Sequence, residues 1–399
     1  MLVNHWNEIV AKYGEEIAVR GPDSDVSITF REIDQLAEQV DTSGDFVLAI
    51  GVSAGFFPAL IAAWRAEKPV LLLENHGSVV RPIVGGIPAG TALIKQTCGA
   101  SGVERSLFFG EAQILAEAER NRVGLGLHRE RRGLAAISLA HSYGFGCLAL
   151  PLLIAGIPLE IVTSPLPFFV KAALDRGGAA FLPGVPAIWK TWFQTGVTAH
   201  PVISLAICAG APLSLELEHG IHSANGLKVK NFYGTSETGA ISFDASEAPR
   251  SAPGYVGKPL PGIKASRDAS GRIVVESDST AIATDAEAWP AEFGSGAYRT
   301  LDQGEVTQAG IFVSRCVGNA INVAGRKVSP TRLVAIFETL DGVLGVKVER
   351  SQSRDFERFE EIRVQLTVEK NFDKIAIREQ FRQRIESWEM PRHWEFVEG

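Results

Sequence analysis

The sequence predicts an α/β protein with a large N-terminal domain of layered, mostly parallel sheets and helices, a small β subdomain completing it, and a small α+β C-terminal domain. The division falls at 1–314 and 315–399. Three observations lead there. Apolar stretches at 46–50 and 70–73 flank an apolar helical stretch at 54–66, which ends before Lys68-Pro69; this is a βαβ unit, whose crossover makes its strands parallel. Beyond Ile241 the pattern changes to short strands and turns, from Pro253-Gly254 through Pro261-Gly262 to 272–276 and 311–313, as in a small barrel or antiparallel sheet. Helix, strand, strand and helix then follow at 331–340, 343–350, 362–368 and 375–388, a compact cap.

Earlier elements follow the same logic. Residues 27–30 are strand-like, and 31–40 are helical because Ile33, Leu36, Ala37 and Val40 share one face. The stretch 133–159 carries no charged residue apart from His141 and is long enough to cross a bilayer. His141, Ser142, Tyr143, Pro151, Pro158 and several glycines interrupt it, so a buried strand, a polar turn and a buried helix describe it better, and no membrane span is expected. Residues 229–233 form a short strand, and Gly234 then permits a turn that a residue with a side chain would resist.

Composition narrows the class of partner. With 399 residues and 46% hydrophobic content the chain can fill two cores. A net charge of −7, without a basic stripe carrying interleaved aromatics, argues against nucleic acid. Cys98, Cys147, Cys208 and Cys316 lie far apart with no C-x-x-C pair, which excludes a disulfide framework or zinc knuckle and favours reduced thiols in the cytoplasm. The opening Met1-Leu2-Val3-Asn4-His5-Trp6 lacks the basic and apolar regions of a secretory signal.

Two loops carry chemistry. Asn231-Phe232-Tyr233-Gly234-Thr235-Ser236-Glu237-Thr238-Gly239 delivers an aromatic ring, hydroxyls and a carboxylate to one turn. A ring can cover a nucleobase, hydroxyls can donate to phosphate oxygens, and a carboxylate can hold Mg²⁺. Taken alone, the stretch reads first as a strand ending in a glycine turn with a solvated glutamate. Thr97-Cys98-Gly99-Ala100-Ser101-Gly102-Val103-Glu104-Arg105 follows an apolar strand and precedes a helical-looking segment. Its small residues let backbone N–H groups close around phosphate oxygens, and Arg105 adds charge. It is not a Walker A loop.

Together these loops resemble the adenylate-forming superfamily of acyl- and aryl-CoA synthetases, peptide-synthetase adenylation domains and luciferases. The 97–105 loop resembles that family's Thr-Ser-Gly-Thr-Thr-Gly-x-Pro-Lys, with departures at Cys98, Ala100, Ser101, Glu104 and Arg105. Residues 233–237 resemble Tyr-Gly-x-Thr-Glu with Ser236 for threonine, and Tyr298-Arg299-Thr300-Leu301-Asp302 resembles Tyr-x-Thr-Gly-Asp with Leu301 for glycine. His141-Ser142-Tyr143-Gly144, Gly184-Val185-Pro186, Gly210-Ala211-Pro212 and the segment from Ser314-Arg315 to Pro330 match further motifs in order.

The resemblance implies an AMP-forming carboxylic acid ligase. It would make an acyl adenylate from ATP with Mg²⁺ and pass the acyl group to the thiol of CoA or of an acyl carrier protein's phosphopantetheine. It implies phosphate contacts for Thr97, Gly99, Ala100, Ser101, Gly102 and Arg105, and nucleotide contacts along Asn231, Tyr233, Gly234 and Thr235, with Tyr233 on adenine. Ser236 would meet the α-phosphate, Glu237 Mg²⁺, and Asp302 and Arg315 the ribose. His141, Gly210 and Ala211 would surround the acid, for which apolar Phe145, Leu148 and Leu150 nearby permit a fatty or aryl tail. Family members usually run past a Pro-Arg-x-x-x-Phe-Val step, here Pro391 to Val397, to a Gly-Lys turn whose lysine bridges acid and α-phosphate; the sequence stops at Gly399 without it. Losing one preorganised donor at a charged transition state costs about 3 kcal/mol. Adenylation is then expected to be slow unless Arg105, Lys327 or a partner's cation supplies the charge. Two alternatives accompany this reading: a nucleotide- or acyl-binding subunit with weakened catalysis, and an amide- or ester-forming ligase on the same scaffold.

Overall fold

The computed structural model describes the chain except residues 22–26, 52–54, 76, 77, 79, 98–104, 286–292, 295, 354–359, 371, 372 and 399. Its largest layer is a nine-stranded sheet, ordered Lys258–Pro259, Gly239–Phe243, Val229–Thr235, Ile203–Cys208, Ala180–Gly184, Arg132–Ala135, Leu159–Ile161, Ile17–Arg20 and Ser27–Thr29. Pairing is parallel from Val229–Thr235 to Ile17–Arg20 and antiparallel at both edges. The parallel strands are buried runs such as Ile203–Cys208, covered on their faces, as parallel sheets require.

A second, five-stranded sheet holds the expected βαβ unit. Val47–Ile50 pairs in parallel with Val70–Leu73 across the Phe56–Arg65 helix, whose residues from Phe56 to Trp64 are all buried. One expectation changes here. Arg105 does not lead into a helix; it opens the Arg105–Phe109 strand, antiparallel to Leu93–Thr97 with Thr97 opposite Arg105, and the next helix starts only at Glu111. The sequence Arg-Ser-Leu-Phe-Phe is buried at every position, so burial against the core outweighs the helical texture that follows. Leu93–Thr97 and Arg105–Phe109 are thus neighbouring antiparallel strands.

The β subdomain is a five-stranded sheet of Lys264–Arg267, Arg272–Glu276, Ala297–Thr307, Phe293–Gly294 and Gly310–Cys316. Its pairs are antiparallel. The Gly310–Cys316 strand still pairs Arg315 with Gln303 and Cys316 with Asp302, and the next core cluster begins at Ile321. That last unit has a short hairpin, Ile321–Val323 with Arg326–Val328, and a three-stranded sheet of Val343–Gln352, Glu360–Val368 and His393–Glu398. Its helices Pro330–Glu338 and Lys374–Arg382 meet where Phe337 stacks on Phe381 at 3.7 Å. The final helix is shorter than the 375–388 expected, and the His393–Glu398 strand was not foreseen.

Two local details explain why the frame forms. Thr29 accepts from the Glu32 backbone while Glu32 accepts from that of Thr29, a reciprocal cap that starts the Phe30–Ala37 helix. The stretch 133–159 resolves into a strand, a tight turn from His141, a π-helical turn at Phe145–Ala149, the Leu150–Ala155 helix and a second strand. No described helix is long and apolar enough to cross a membrane.

Candidate active site

A cavity of about 1760 Å³ opens between the large sheets, the β subdomain and the C-terminal unit. Thr97, His141, Gly210, Ala211, Asn231, Tyr233, Gly234, Thr235, Ser236, Glu237, Asp302, Arg315 and Lys327 line it. The chain therefore gathers onto one surface the expected site residues that it describes, with one exception, Arg105. Gly99, Ala100, Ser101 and Gly102 lie outside the described residues.

The turn that begins the argument is a hairpin between Val229–Thr235 and Gly239–Phe243, with Ser236, Glu237 and Thr238 at its tip. Gly234 has a role other than the expected turn. It lies within the strand, where a Cβ would meet the Gly239 carbonyl oxygen at 2.5 Å, so close approach of the two strands demands glycine. Gly239, at φ +70°, makes the return. Thr235 and Thr238 share a hydroxyl hydrogen bond of 3.0 Å across the tip, and the Asn231 amide donates to Tyr255 O at 2.9 Å.

Arg105 stands behind this tip. Its guanidinium donates to Glu237 Oε1, both residues are buried, and Arg105 does not line the cavity. The geometry has it supporting the carboxylate expected to meet Mg²⁺, with Glu237 between it and the cavity.

Tyr233 and Asp302 come together from sheets far apart in sequence. The phenol donates to Asp302 Oδ2 at 2.8 Å, and burial followed by the Asp302 charge pushes the phenol pKa well up, which keeps it a donor. Arg315 beside it is exposed and donates to Gln303 Oε1 at 2.7 Å. Cys316 lies near both Asp302 and Lys327; burial raises its pKa, Asp302 pushes the same way, and Lys327 opposes.

On the opposite wall, His141 caps the Ser142–Gly144 turn. Its Nδ1 accepts from the Tyr143 backbone at 3.4 Å, which assigns the proton to Nε2. Desolvation lowers its pKa, Glu74 opposes, and Arg326 and Lys95 add to the lowering, so the imidazole is neutral at pH 7. Tyr143 donates to Ile207 O at 3.2 Å and stacks on Phe232. Phe145, Leu148 and Leu150 pack in the core behind this wall.

The C-terminal unit closes the cavity with its hairpin. Ala324 and Gly325 both have positive φ, as a two-residue hairpin turn of the type matching strand twist requires. Asn322 Nδ2 donates to Gly210 O at 3.0 Å, and its Oδ1 accepts from Gly325 N at 2.9 Å. Arg326 pairs with Glu74 at 3.1 Å and lies 3.7 Å over the Trp388 ring.

Among the wall residues that escaped the sequence reading are Lys95, Glu117 and Asn121. For these three the signals were a lysine inside an apolar strand and two polar residues four apart on the Glu111–Gly124 helix. The donor set fits a nucleotide with one divalent cation. Among the described residues no three His, Cys, Asp or Glu side chains gather, so Glu237 would supply a single protein carboxylate, with phosphate and water oxygens completing the shell.

No protein-family model matches the chain, and no curated protein matches it in sequence. Solved structures do. o-Succinylbenzoate CoA synthetase from Bacillus subtilis, in a double mutant bound to its product analogue, is 16% identical at a TM-score of 0.84, over 99% of this chain and 95% of that one. The same enzyme with ATP and magnesium gives 0.69 over the same shares. A malonyl-CoA ligase complex with methylmalonyl-CoA and AMP is 17% identical at 0.81, covering 96% of each chain. A fused adenylation and carrier-protein di-domain from Klebsiella oxytoca is 14% identical at 0.82, over 99% and 86%. The fold is the one these proteins share.

Proposed function

We propose that this chain is an AMP-forming carboxylic acid ligase that makes an acyl adenylate from ATP and Mg²⁺ and passes the acyl group to a CoA or carrier-protein thiol. The observation that carries the reading is the meeting of the Ser236–Glu237 tip, the Tyr233–Asp302 pair and neutral His141 around one cavity. The shared fold with two CoA ligases and an adenylation domain supports it.

In this reading Asp302 accepts from the ribose hydroxyls through the oxygen that Tyr233 leaves available, and Tyr233 fixes its rotamer. Glu237, aligned by Arg105, would hold Mg²⁺, which neutralises charge on the phosphates. Thr97 and Ser236 donate to phosphate oxygens, and His141, uncharged, borders the acid without trapping its carboxylate in an ion pair. A carboxylate oxygen attacks the α-phosphorus; the new P–O bond forms as the bond to the β-phosphate breaks, and pyrophosphate leaves. In the second step a thiol sulfur attacks the acyl carbon, its proton is lost, and AMP departs. Lys327, on the hairpin at the cavity, is the cation proposed to meet charge developing at the α-phosphate. Free thiols at Cys147 and Cys316 suit the cytoplasm.

Acid-dependent ATP–pyrophosphate exchange over a panel of acids, with CoA and a carrier protein as acceptors and mass spectrometry of the adenylate, tests the proposal. AMP binding by calorimetry with no exchange for any acid would refute it and leave a nucleotide-binding subunit without turnover.

A further inference from the structure

One corner of the cavity is built unlike the rest. Its walls are the Leu93–Thr97 strand, the Glu111–Gly124 helix, the Phe145–Ala149 turn and the start of the Gly239–Phe243 strand. Asp302, Arg315 and Lys327 stand on other elements. Lys95 lies there, 3% exposed, its ammonium 3.5 Å from Glu117 Oε2 and 4.7 Å from the Phe109 ring centroid. The ammonium has three N–H donors, and none finds a hydrogen-bond acceptor. Asn121, one turn beyond Glu117, donates to Gly146 O at 2.9 Å, while its buried Oδ1 has no donor.

The placement is specific. A Cβ at Gly146 would lie 2.5 Å from Glu117 Oε1, and one at Gly239 would lie 2.6 Å from the same oxygen. Two wall positions are thus bare where the carboxylate sits. Lys95 also contributes to lowering the His141 pKa, which ties the corner electrostatically to the acid side of the cavity.

A buried ion pair adds little stability by itself, and each unpaired buried polar atom costs about 1–3 kcal/mol. The corner has both an unmet donor and an unmet acceptor. A single group that accepts from Lys95 and donates to Asn121 or Glu117 would complete it, and a hydroxyl does both with one oxygen. Charge decides against the alternatives. Lys95 and Glu117 already sum to zero, so a second carboxylate or an ammonium on the substrate would leave a net buried charge.

We propose that the acid activated here carries an uncharged hydroxyl at its far end, held by Lys95, Glu117 and Asn121. This rests on the ligase reading and narrows its acid class to hydroxylated fatty or aryl acids.

The test uses the whole protein and matched acids: four- to eight-carbon acids ending in methyl, hydroxyl, carboxylate or ammonium, and benzoates with methyl or hydroxyl at the 4 position. Binding is measured by calorimetry and adenylation by pyrophosphate exchange. A site built to hydrogen-bond a hydroxyl should prefer the best hydroxyl acid over its methyl partner by about 100-fold or more. The charged-end acids should be weaker still. In the double variant K95M/E117L, which replaces the pair by apolar groups of similar size, preference should invert toward methyl. Hydroxyl-selective binding without exchange would sink the ligase reading and keep the subsite. Exchange with equal or better use of methyl or charged ends in the unaltered protein would overturn the subsite and keep the ligase. Neither binding nor exchange with any acid would overturn both.

Discussion

Arg105→Met tests whether the carboxylate at the hairpin tip depends on the guanidinium behind it. Arg105 is 1% exposed and Glu237 4%, and they are 132 residues apart, so only the tertiary fold brings them together. Removing one member leaves the other's charge buried and unpaired, which costs about 3–5 kcal/mol. Each kcal/mol lowers Tm by roughly 2 °C in a domain of this size, so the variant should melt about 6–10 °C lower. Arg105 makes further contacts, so the single variant alone overstates the pair. A cycle of R105M, E237L and the double variant isolates it, read by urea unfolding with tryptophan fluorescence at constant m-value. The double variant should lose about 2–3 kcal/mol less than the sum of the two single losses, which is the coupling between the pair. Single effects that add to within about 0.5 kcal/mol would show that Arg105 does not support Glu237, and would remove this account of why the loop ends in arginine.

Three further outcomes follow from the same geometry. Tyr233→Phe deletes the 2.8 Å hydrogen bond that orients Asp302; with such charged bonds contributing about 1.5–3 kcal/mol, AMP affinity by calorimetry should fall roughly tenfold, and unchanged affinity would refute the orienting role. Gly234→Ala drives a methyl toward the Gly239 carbonyl and should lower Tm by several degrees and abolish acid-dependent exchange; full activity would contradict the close-approach argument. His141 has its pKa lowered below the ordinary 6.5, chiefly by desolvation, so between the two values the unfolded chain binds more protons and stability rises with pH. The contribution is complete above 6.5 and is lost as pH falls toward the depressed value. An NMR titration of the imidazole placing its pKa at or above 6.5, or a pH–stability curve unchanged in His141→Gln, would exclude this.

What the sequence made legible was whatever is local in the chain. The βαβ unit at Val47–Leu73 follows from apolar runs around an apolar helix. The 231–239 hairpin could be recognised because its ring, hydroxyls, carboxylate and glycines are consecutive. Even there the reason for Gly234 was misread: periodicity cannot tell a turn from two strands pressed together, and only the distance to Gly239 can. Arg105 shows the same limit. Its place after a Gly-rich loop pointed to phosphate, yet the buried, strand-forming Arg105–Phe109 segment turns its side chain toward Glu237.

The corner around Lys95 is the stronger case, because no window of sequence holds its parts. Lys95 comes from a strand, Glu117 and Asn121 from a helix, and the bare positions Gly146 and Gly239 from a π-helical turn and a hairpin return. Each reads separately as a snorkelling lysine, a solvated glutamate or a loop glycine. Their joint meaning arises from desolvation, which changes an ordinary lysine into a cation with unmet donors. A contiguous motif can be recognised because its parts keep their order within one window of sequence. The parts of this corner share only the few ångströms of cavity they face, so what they do together has to be read from burial and distance.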